Sequence, residues 1–395
     1  MEKPAILGGP KEFEKFLPIV KPALPGLPVI KDKVEKILAT GMVSNFSENV
    51  RAFEEACRTY IGAEYALSQC NATTGLLLVL QALGLKGEVI VPSFTFSATV
   101  HALIWNNLTP RFVDIDPHTY NIDPRAVEKA VTPRTSAIIG VHVFGNPCGI
   151  DTLESIASKH RLKLVFDSAH GFGSKYQGKN IGLFGDAEIF SMSPTKLLVT
   201  GEGGLVVTKH KELYEKVRLG RNYGDPGNYN CQFVGFNSKM QEFSAILGLE
   251  SIKTLDEQVA NRNRIVDAFK KSLGKLPGIS FQTIKPGDLC SYKDLSIVID
   301  PKKFGVTRDA LYDAMTQENI QCRKYFYPPV HRYDAYASYY QEYDGKLPVT
   351  DAIAENILCL PLYSYMESST IGKICHAIEK IQNHSAAISM KGATK

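Results

Sequence analysis

Lys196 is the most chemically suggestive residue in this sequence. It stands in Phe190-Ser191-Met192-Ser193-Pro194-Thr195-Lys196, where an apolar run ends in hydroxyl residues, and Thr200-Gly201-Glu202-Gly203-Gly204 follows as a glycine-rich turn. A lysine amine held out of water loses basicity and can form a Schiff base with a carbonyl. A solvated loop lysine is the plainer reading. Asp167 closes the apolar run Val165-Phe166, with His170 three residues on. A carboxylate at such a strand end can cap the next turn, bind a metal or accept a proton from a ring nitrogen. Metal is the weakest of these, because neither an H-E-x-x-H motif nor a dense carboxylate cluster accompanies it. His170 taken alone reads as a structural, hydrogen-bonded histidine. The third candidate is Cys70-Asn71-Ala72-Thr73-Thr74-Gly75, between a strand-like and a helix-like run. Free N–H groups and the positive end of the helix dipole suit such a turn to an anion such as phosphate. A plain N-cap by Asn71 or Thr73 is the alternative. No P-loop precedes Lys196, and no G-x-G-x-x-G follows an early strand, which argues against a nicotinamide dehydrogenase.

These residues need elements that bring them together. Over 64–208 short β-rich runs alternate with helical stretches: strands are expected at 65–70, 88–91, 111–115, 137–143, 162–167, 188–192 and 204–208. Such alternation predicts an α/β fold with a mostly parallel central sheet flanked by helices. Open sheets of this kind bind ligands beyond the carboxyl ends of their strands, where the three candidates lie. From 241 to about 273 one long connecting helix is expected. A strand at 295–299, a helix near 308–317, the aromatic-rich segment Lys324-Tyr325-Phe326-Tyr327-Pro328-Pro329-Val330-His331 and a final helix after 368 read as a smaller α/β domain. The expected organisation is an N-terminal arm over 1–35 that packs on another element or subunit, a large domain over 36–255 and a small C-terminal domain over 256–395. The last ten residues are expected to fray.

Composition narrows the class. The 395 residues are 44% hydrophobic and 22% charged, near the globular averages of about 45–50% and 25%, which excludes a disordered chain. No run approaches the roughly 20 apolar residues of a membrane span. A net charge of +4 with scattered lysines offers no footprint for nucleic acid or anionic lipid. Eight cysteines form no C-x-x-C pair and no zinc spacing. Their apolar neighbours suit free thiols in a reducing, cytoplasmic setting.

The order of the motifs is more specific than any one of them. CNATTGL, GEVIVPSFTFSATVHAL, PRFVDIDPHTYNID, VHVFGNP, FDSAHGFGS, GDAEIFSMSPTK, GEGGLVVT and GFNSKMQEFSA follow one another along nearly the whole chain. The series resembles the fold-type I pyridoxal phosphate enzymes, and more narrowly the DegT/StrS family of nucleotide-sugar aminotransferases. CNAT, GEVIVPSFTF and FNSKM look most like members that act on dTDP-4-keto-6-deoxyglucose. The resemblance implies pyridoxal 5′-phosphate as cofactor and Lys196 as the lysine that carries it, with Asp167 pairing with the pyridinium nitrogen so that the ring can act as an electron sink. It also implies His170 near the phenolic oxygen, Phe96 stacked on the ring, and Ala72, Thr73 and Ser191 at the phosphate. Asn237 would reach the phosphate from the partner subunit, which implies a homodimer with shared sites. The substrates implied are a nucleotide-linked keto sugar, aminated at C-4 rather than C-3, and L-glutamate, released as 2-oxoglutarate. Tyr325 and His331 match a substrate-side loop loosely. Two further departures are Ala72-Thr73 where the family commonly has Gly-Thr, and Lys239 in place of an arginine whose planar fork would be lost. A sugar dehydratase of the same family is disfavoured because its members carry histidine at the Lys196 position. A non-catalytic binding protein on the same fold would be marked by loss of Lys196 or Asp167, and both are present.

Overall fold

The computed structural model describes residues 2–337 and 341–392. Its main sheet has seven strands: β1 (Tyr65–Gln69), β2 (Glu88–Pro92), β3 (Thr109–Val113), β4 (Thr135–Val141), β5 (Lys163–Asp167), β8 (Ala187–Ser191) and β9 (Gly204–Thr208). The two-residue strands β6 (Lys175–Tyr176) and β7 (Lys179–Asn180) form a separate small hairpin. Across the main sheet the order is β1-β9-β8-β5-β4-β2-β3. Neighbours pair in parallel except around β9, which runs antiparallel to both β1 and β8. The mainly parallel α/β sheet expected from the alternation is present. Two strands start earlier than expected, β3 at Thr109 and β4 at Thr135. β3 contains Pro110, which removes a ladder donor; the strand tolerates it because it lies at the sheet edge with β2 as its one neighbour. β4 ends at Val141 because the next residues turn sharply, with Phe144 in left-handed backbone at φ 59°.

The strands are buried on both faces, as parallel sheets require. One apolar block on the sheet gathers Val50, Phe53, Leu153, Phe166 and Phe190; another gathers Leu76, Val79, Val100, Leu103 and Val206. A second sheet of three strands, β10 (Ile279–Phe281), β11 (Leu295–Ile299) and β12 (Ile357–Leu360), has its own core with the helices Arg308–Gln317 and Ser368–Asn383. The helix Leu255–Leu273 joins the two, placing Leu255 and Val259 in the first core and Val266, Phe269 and Leu273 in the second.

Two elements differ from the sequence reading. The stretch 241–273 is two helices, Glu242–Ser251 and Leu255–Leu273, separated by a 3-10 turn at Ile252–Thr254. The break follows from buried Ser251, whose Oγ accepts from Val199 N at 3.1 Å, while Thr254 Oγ1 bonds back to the Ser251 carbonyl. Over the described residues the C-terminal segment is not frayed as expected: Ser385–Gly392 is helical and Ile388 is buried in the second core, and residues 393–395 of that segment lie outside the described residues. The N-terminal segment lies on the chain's own second layer, where the Glu318 carboxylate accepts from Ala5 N at 2.8 Å and Glu12 N at 2.7 Å. Residue 35 falls inside the helix Leu27–Thr40.

Candidate active site

The carboxyl ends of β1, β2, β4, β5 and β8 and the start of β9 lie along one edge of the sheet. Gly204 pairs with both Gln69 and Ser191, and Asp167 with both Val141 and Ile189, so these strand ends are level. They border a cavity of about 330 Å³ lined by Ala72, Thr73, Phe96, Asp167, His170, Ser191, Lys196 and Tyr325 from the sequence-derived set. Lys293 and Phe326 complete the side facing the second sheet.

At the first turn, Asn71 is the N-cap of the helix Ala72–Ala82 and its Oδ1 accepts from Thr74 N at 2.9 Å. The cap takes one of the orphan donors, and the Ala72 and Thr73 N–H groups have no hydrogen-bond partner among the described residues. The capping reading of this turn therefore holds, and it leaves two amides without a partner, as the anion reading requires. Gly204 lies so close that a Cβ there would meet Asn71 C at 2.5 Å and Ala72 N at 2.6 Å. The glycine-rich turn thus lets β9 approach the amides.

Asp167 ends β5 with its carboxyl buried. Oδ2 accepts from Thr99 Oγ1 at 2.6 Å and Oδ1 from Ala169 N at 3.1 Å, and Thr99 is in turn bonded to Thr95 at 2.8 Å. Burial raises its pKa, opposed by these two donors and the nearby Lys196. No cation forms an ion pair with it among the described residues, so the carboxylate lacks a counter-charge that a protonated ring nitrogen would supply.

His170 Nδ1 accepts the Phe144 N–H at 3.2 Å. That bond places the proton on Nε2 and makes the ring a donor there. Burial, then the charges of Lys196 and Lys293, hold its pKa well below the usual histidine value, so it stays neutral. The ring lies near-parallel to Phe144 and Phe326, at 6.2 and 6.3 Å between centroids. Phe96, at the mouth of the cavity, is 56% exposed and offers a bare aromatic face.

Lys196 sits in the turn after β8, its N–H bonded to Ser193 O at 2.9 Å. The following residues, Leu197 to Thr200, are buried and tied to Ser251, which anchors the loop. The amine has no hydrogen bond or ion pair among the described residues. Burial first, then the charge of Lys293, bring its pKa down to about 7. At neutral pH a large fraction is therefore the free, nucleophilic amine.

Two members of the sequence-derived set lie elsewhere. His331 does not reach this cavity: its side chain is buried, with Nδ1 2.7 Å from Ser93 Oγ and Nε2 3.5 Å from Asp351 Oδ1. Asn237 is exposed and paired with Asn222 outside the cavity of its own chain. Sequence reasoning missed Thr99, Lys293 and Phe326. A hydroxyl spacing of four in Thr95-Phe96-Ser97-Ala98-Thr99 was a usable signal for the first, and the aromatic run around Tyr325 for Phe326; nothing local marks Lys293.

A solitary low-pKa amine, a buried unpaired carboxylate, two free amides at a helix start and an open aromatic face fit a phosphorylated pyridine aldehyde. These features define the class as a pyridoxal-phosphate site on a fold-type I α/β scaffold. The DegT/DnrJ/EryC1/StrS aminotransferase family model matches residues 28–379, and the chain belongs to that family. It is 33% identical over 365 residues to the dTDP-4-amino-4,6-dideoxy-D-glucose transaminase of Escherichia coli, covering 91% of this chain and 97% of that one. The enzyme of the same name from Shigella dysenteriae is 34% identical over 370 residues, covering 94% and 100%. Among solved structures, DesI in the presence of its TDP-sugar product superposes with a TM-score of 0.93 at 35% identity, covering 98% of both chains. The protein is accordingly a pyridoxal-phosphate-dependent aminotransferase.

Proposed function

We propose that this enzyme transfers an amino group from L-glutamate to the C-4 keto carbon of dTDP-4-keto-6-deoxy-D-glucose, as a cytoplasmic homodimer with shared sites. The observation that carries the chemistry is the pairing, in one cavity, of the free amine of Lys196 with the buried, uncompensated carboxylate of Asp167. The names of the relatives support the sugar and the position aminated. When bound, pyridoxal phosphate supplies a carbonyl for amine exchange and a protonated ring that withdraws electrons. The protein supplies the rest. Ala72 and Thr73 offer amides to the phosphate, with Ser191 and the Thr73 hydroxyl beside them. Asp167, oriented by Thr99 and Ala169, keeps the ring nitrogen protonated, and His170 donates from Nε2. Lys196, once displaced by the donor amine, takes a proton from the donor α-carbon and returns one to the acceptor carbon on the reverse pass. Its pKa near 7 suits both directions. The exposure of Asn237, and of Phe96 at the mouth, supports a second subunit closing each site.

The test is spectroscopic. The protein loaded with pyridoxal phosphate should show a visible band that L-glutamate removes and the keto-sugar nucleotide restores, and Lys196→Ala should show neither change. No band with excess cofactor, or normal turnover by Lys196→Ala, would sink the reading. A C-3 keto sugar that restores the band better than the C-4 isomer would replace the substrate.

A further inference from the structure

Two lysines line the cavity, and the chemistry above uses one. Lys293 is 6% exposed and, with Lys196, is one of two cations among the described lining residues. It arrives from the opposite wall, two residues before β11 of the second sheet. Its backbone is clamped from both sides: Lys293 N donates to Phe144 O at 2.9 Å, and Arg262 Nη1 donates to the Tyr292 and Lys293 carbonyls at 2.8 and 3.0 Å. Phe144 and Tyr292, the residues flanking that first bond, both hold left-handed backbone, at φ 59° and 49°. Aromatic residues adopt it at an energetic penalty, and such strain collects at functional positions. The side chain is equally fixed. Nζ donates to Asp294 Oδ1 and Oδ2 at 2.9 and 2.8 Å and lies 5.0 Å from the centre of the Tyr325 ring. An ammonium has three donors, and the third has no partner among the described residues.

An amino-acid donor carries its α-carboxylate one bond from the carbon that reacts beside Lys196. Drawn into this cavity, that anion needs a hydrogen-bonding cation, whereas Asp167 and Glu202 would repel it. We propose that Lys293 receives the α-carboxylate of the amino donor and releases it with the keto-acid product. The inference rests on the aminotransferase reading. The competing anion is the diphosphate of a sugar nucleotide, but it lies across a pyranose ring from C-4. Lys293 is close enough to Lys196 and His170 for its charge to disfavour their protonation. An anion bound there belongs within a few bonds of the reacting carbon, which the α-carboxylate is and the diphosphate is not. Because Asp294 already partly neutralises Lys293, the donor is held by a polarised pair rather than a bare charge, which suits a ligand that must leave before the sugar enters.

The experiment separates the two half-reactions in the cofactor-loaded protein. Lys293→Met combined with Asp294→Asn removes both charges, so that neither is stranded in the interior; Lys293→Gln alone carries the test if the paired variant does not fold, and Lys293→Arg is the conservative control. Calorimetry reports 2-oxoglutarate binding to the pyridoxal-loaded form, and the visible band reports reaction with L-glutamate and, from the amino-loaded form, with the keto sugar. Loss of one charge-assisted contact should weaken glutamate and 2-oxoglutarate about 10- to 100-fold and be largely rescued by arginine. The sugar half-reaction should fall by clearly less, only by the part of the effect that passes through the Lys196 pKa and is common to both half-reactions. An equal fall in both half-reactions would overturn the proposal, since Lys293 would then be acting through Lys196. A fall confined to the sugar half-reaction would also overturn it and assign the cation to the nucleotide. Failure of the unsubstituted protein to react with any amino acid would appear before any substitution, and would instead count against the aminotransferase reading itself.

Discussion

Lys196 and Asp167 do opposite things with the same burial. Taking an amine out of water favours its neutral form, and taking a carboxyl out of water favours its protonated form; both shifts have desolvation as their largest cause. For Lys196 the consequence is direct, because the neutral amine is the reactive species and it predominates above the pKa. The rate at which the apoprotein forms its visible band with pyridoxal phosphate should therefore rise through pH 7 and level off above it, whereas an ordinary lysine would still be gaining toward 10.5. A rate still climbing at pH 9 to 10 would contradict the burial of this amine. For Asp167 the consequence needs a partner: a ring N–H⁺ meeting the carboxylate would supply the counter-charge that offsets the cost of its burial. Asp167→Asn keeps the shape and a hydrogen-bonding group but not the charge, and should lower turnover about 10²- to 10³-fold with smaller loss of bound cofactor, read from steady-state rates and the band at saturation. These two residues were legible in the sequence because each closes or follows a short apolar strand, so position along the chain nearly fixes position in space. Lys293 was not, since only the packing of the second sheet against the first brings it to the cavity. His331 was misleading for a related reason: its segment approaches the site, but the bond to Ser93 turns the ring inward.

At the scale of elements, the site depends on how closely strands and turns can approach. Gly204 is the sharpest case, because a methyl group there would fall 2.5 Å from Asn71 C, backbone that cannot swing aside. Gly204→Ala should push the amide turn out of line and weaken pyridoxal phosphate binding by about tenfold or more, measured by titrating the apoprotein; unchanged affinity would show that the Ala72 and Thr73 amides do not hold the phosphate. Glu188 works behind the site. Its buried carboxylate accepts from Ser168 Oγ at 2.6 Å, Gly182 N at 2.7 Å and Phe184 N at 3.0 Å, tying β8 to the loop after Asp167. Glu188→Leu strands three donors and should destabilise the protein by about 3 kcal/mol or more, seen as a lowered melting temperature even with cofactor bound. The strands themselves could be read from alternation. The break at Ile252–Thr254 could not, because it is set by a hydroxyl reaching Val199 in a loop 52 residues upstream.

At the scale of the molecule, the proposed homodimer would bring together two features that each chain exposes, the surface around Asn237 and the mouth of the cavity at Phe96. Asn237 and Lys239 stand away from their own cavity, the lysine 5.5 Å from the Tyr223 ring, on a surface that also exposes Tyr229 and Val234. Phe96 is open at the mouth of the cavity those groups would complete from a second chain. A shared site makes a prediction that self-contained sites cannot. In Lys196→Ala the amine is lost but Asn237 is intact; in Asn237→Ala the reverse holds. Each variant alone should be impaired in every site it forms, severely for the first and through weaker cofactor binding for the second. In a hybrid of the two, one site would combine both mutated residues and the other would receive native Lys196 from one chain and native Asn237 from its partner. Equal mixing and re-equilibration make half of the dimers hybrid, with one native site in each. At low cofactor concentration, where Asn237→Ala alone is nearly empty, activity should recover to roughly a quarter of the unsubstituted level. If Asn237 served its own chain, no native site would arise from mixing, and the mixture would show only the average of its two components.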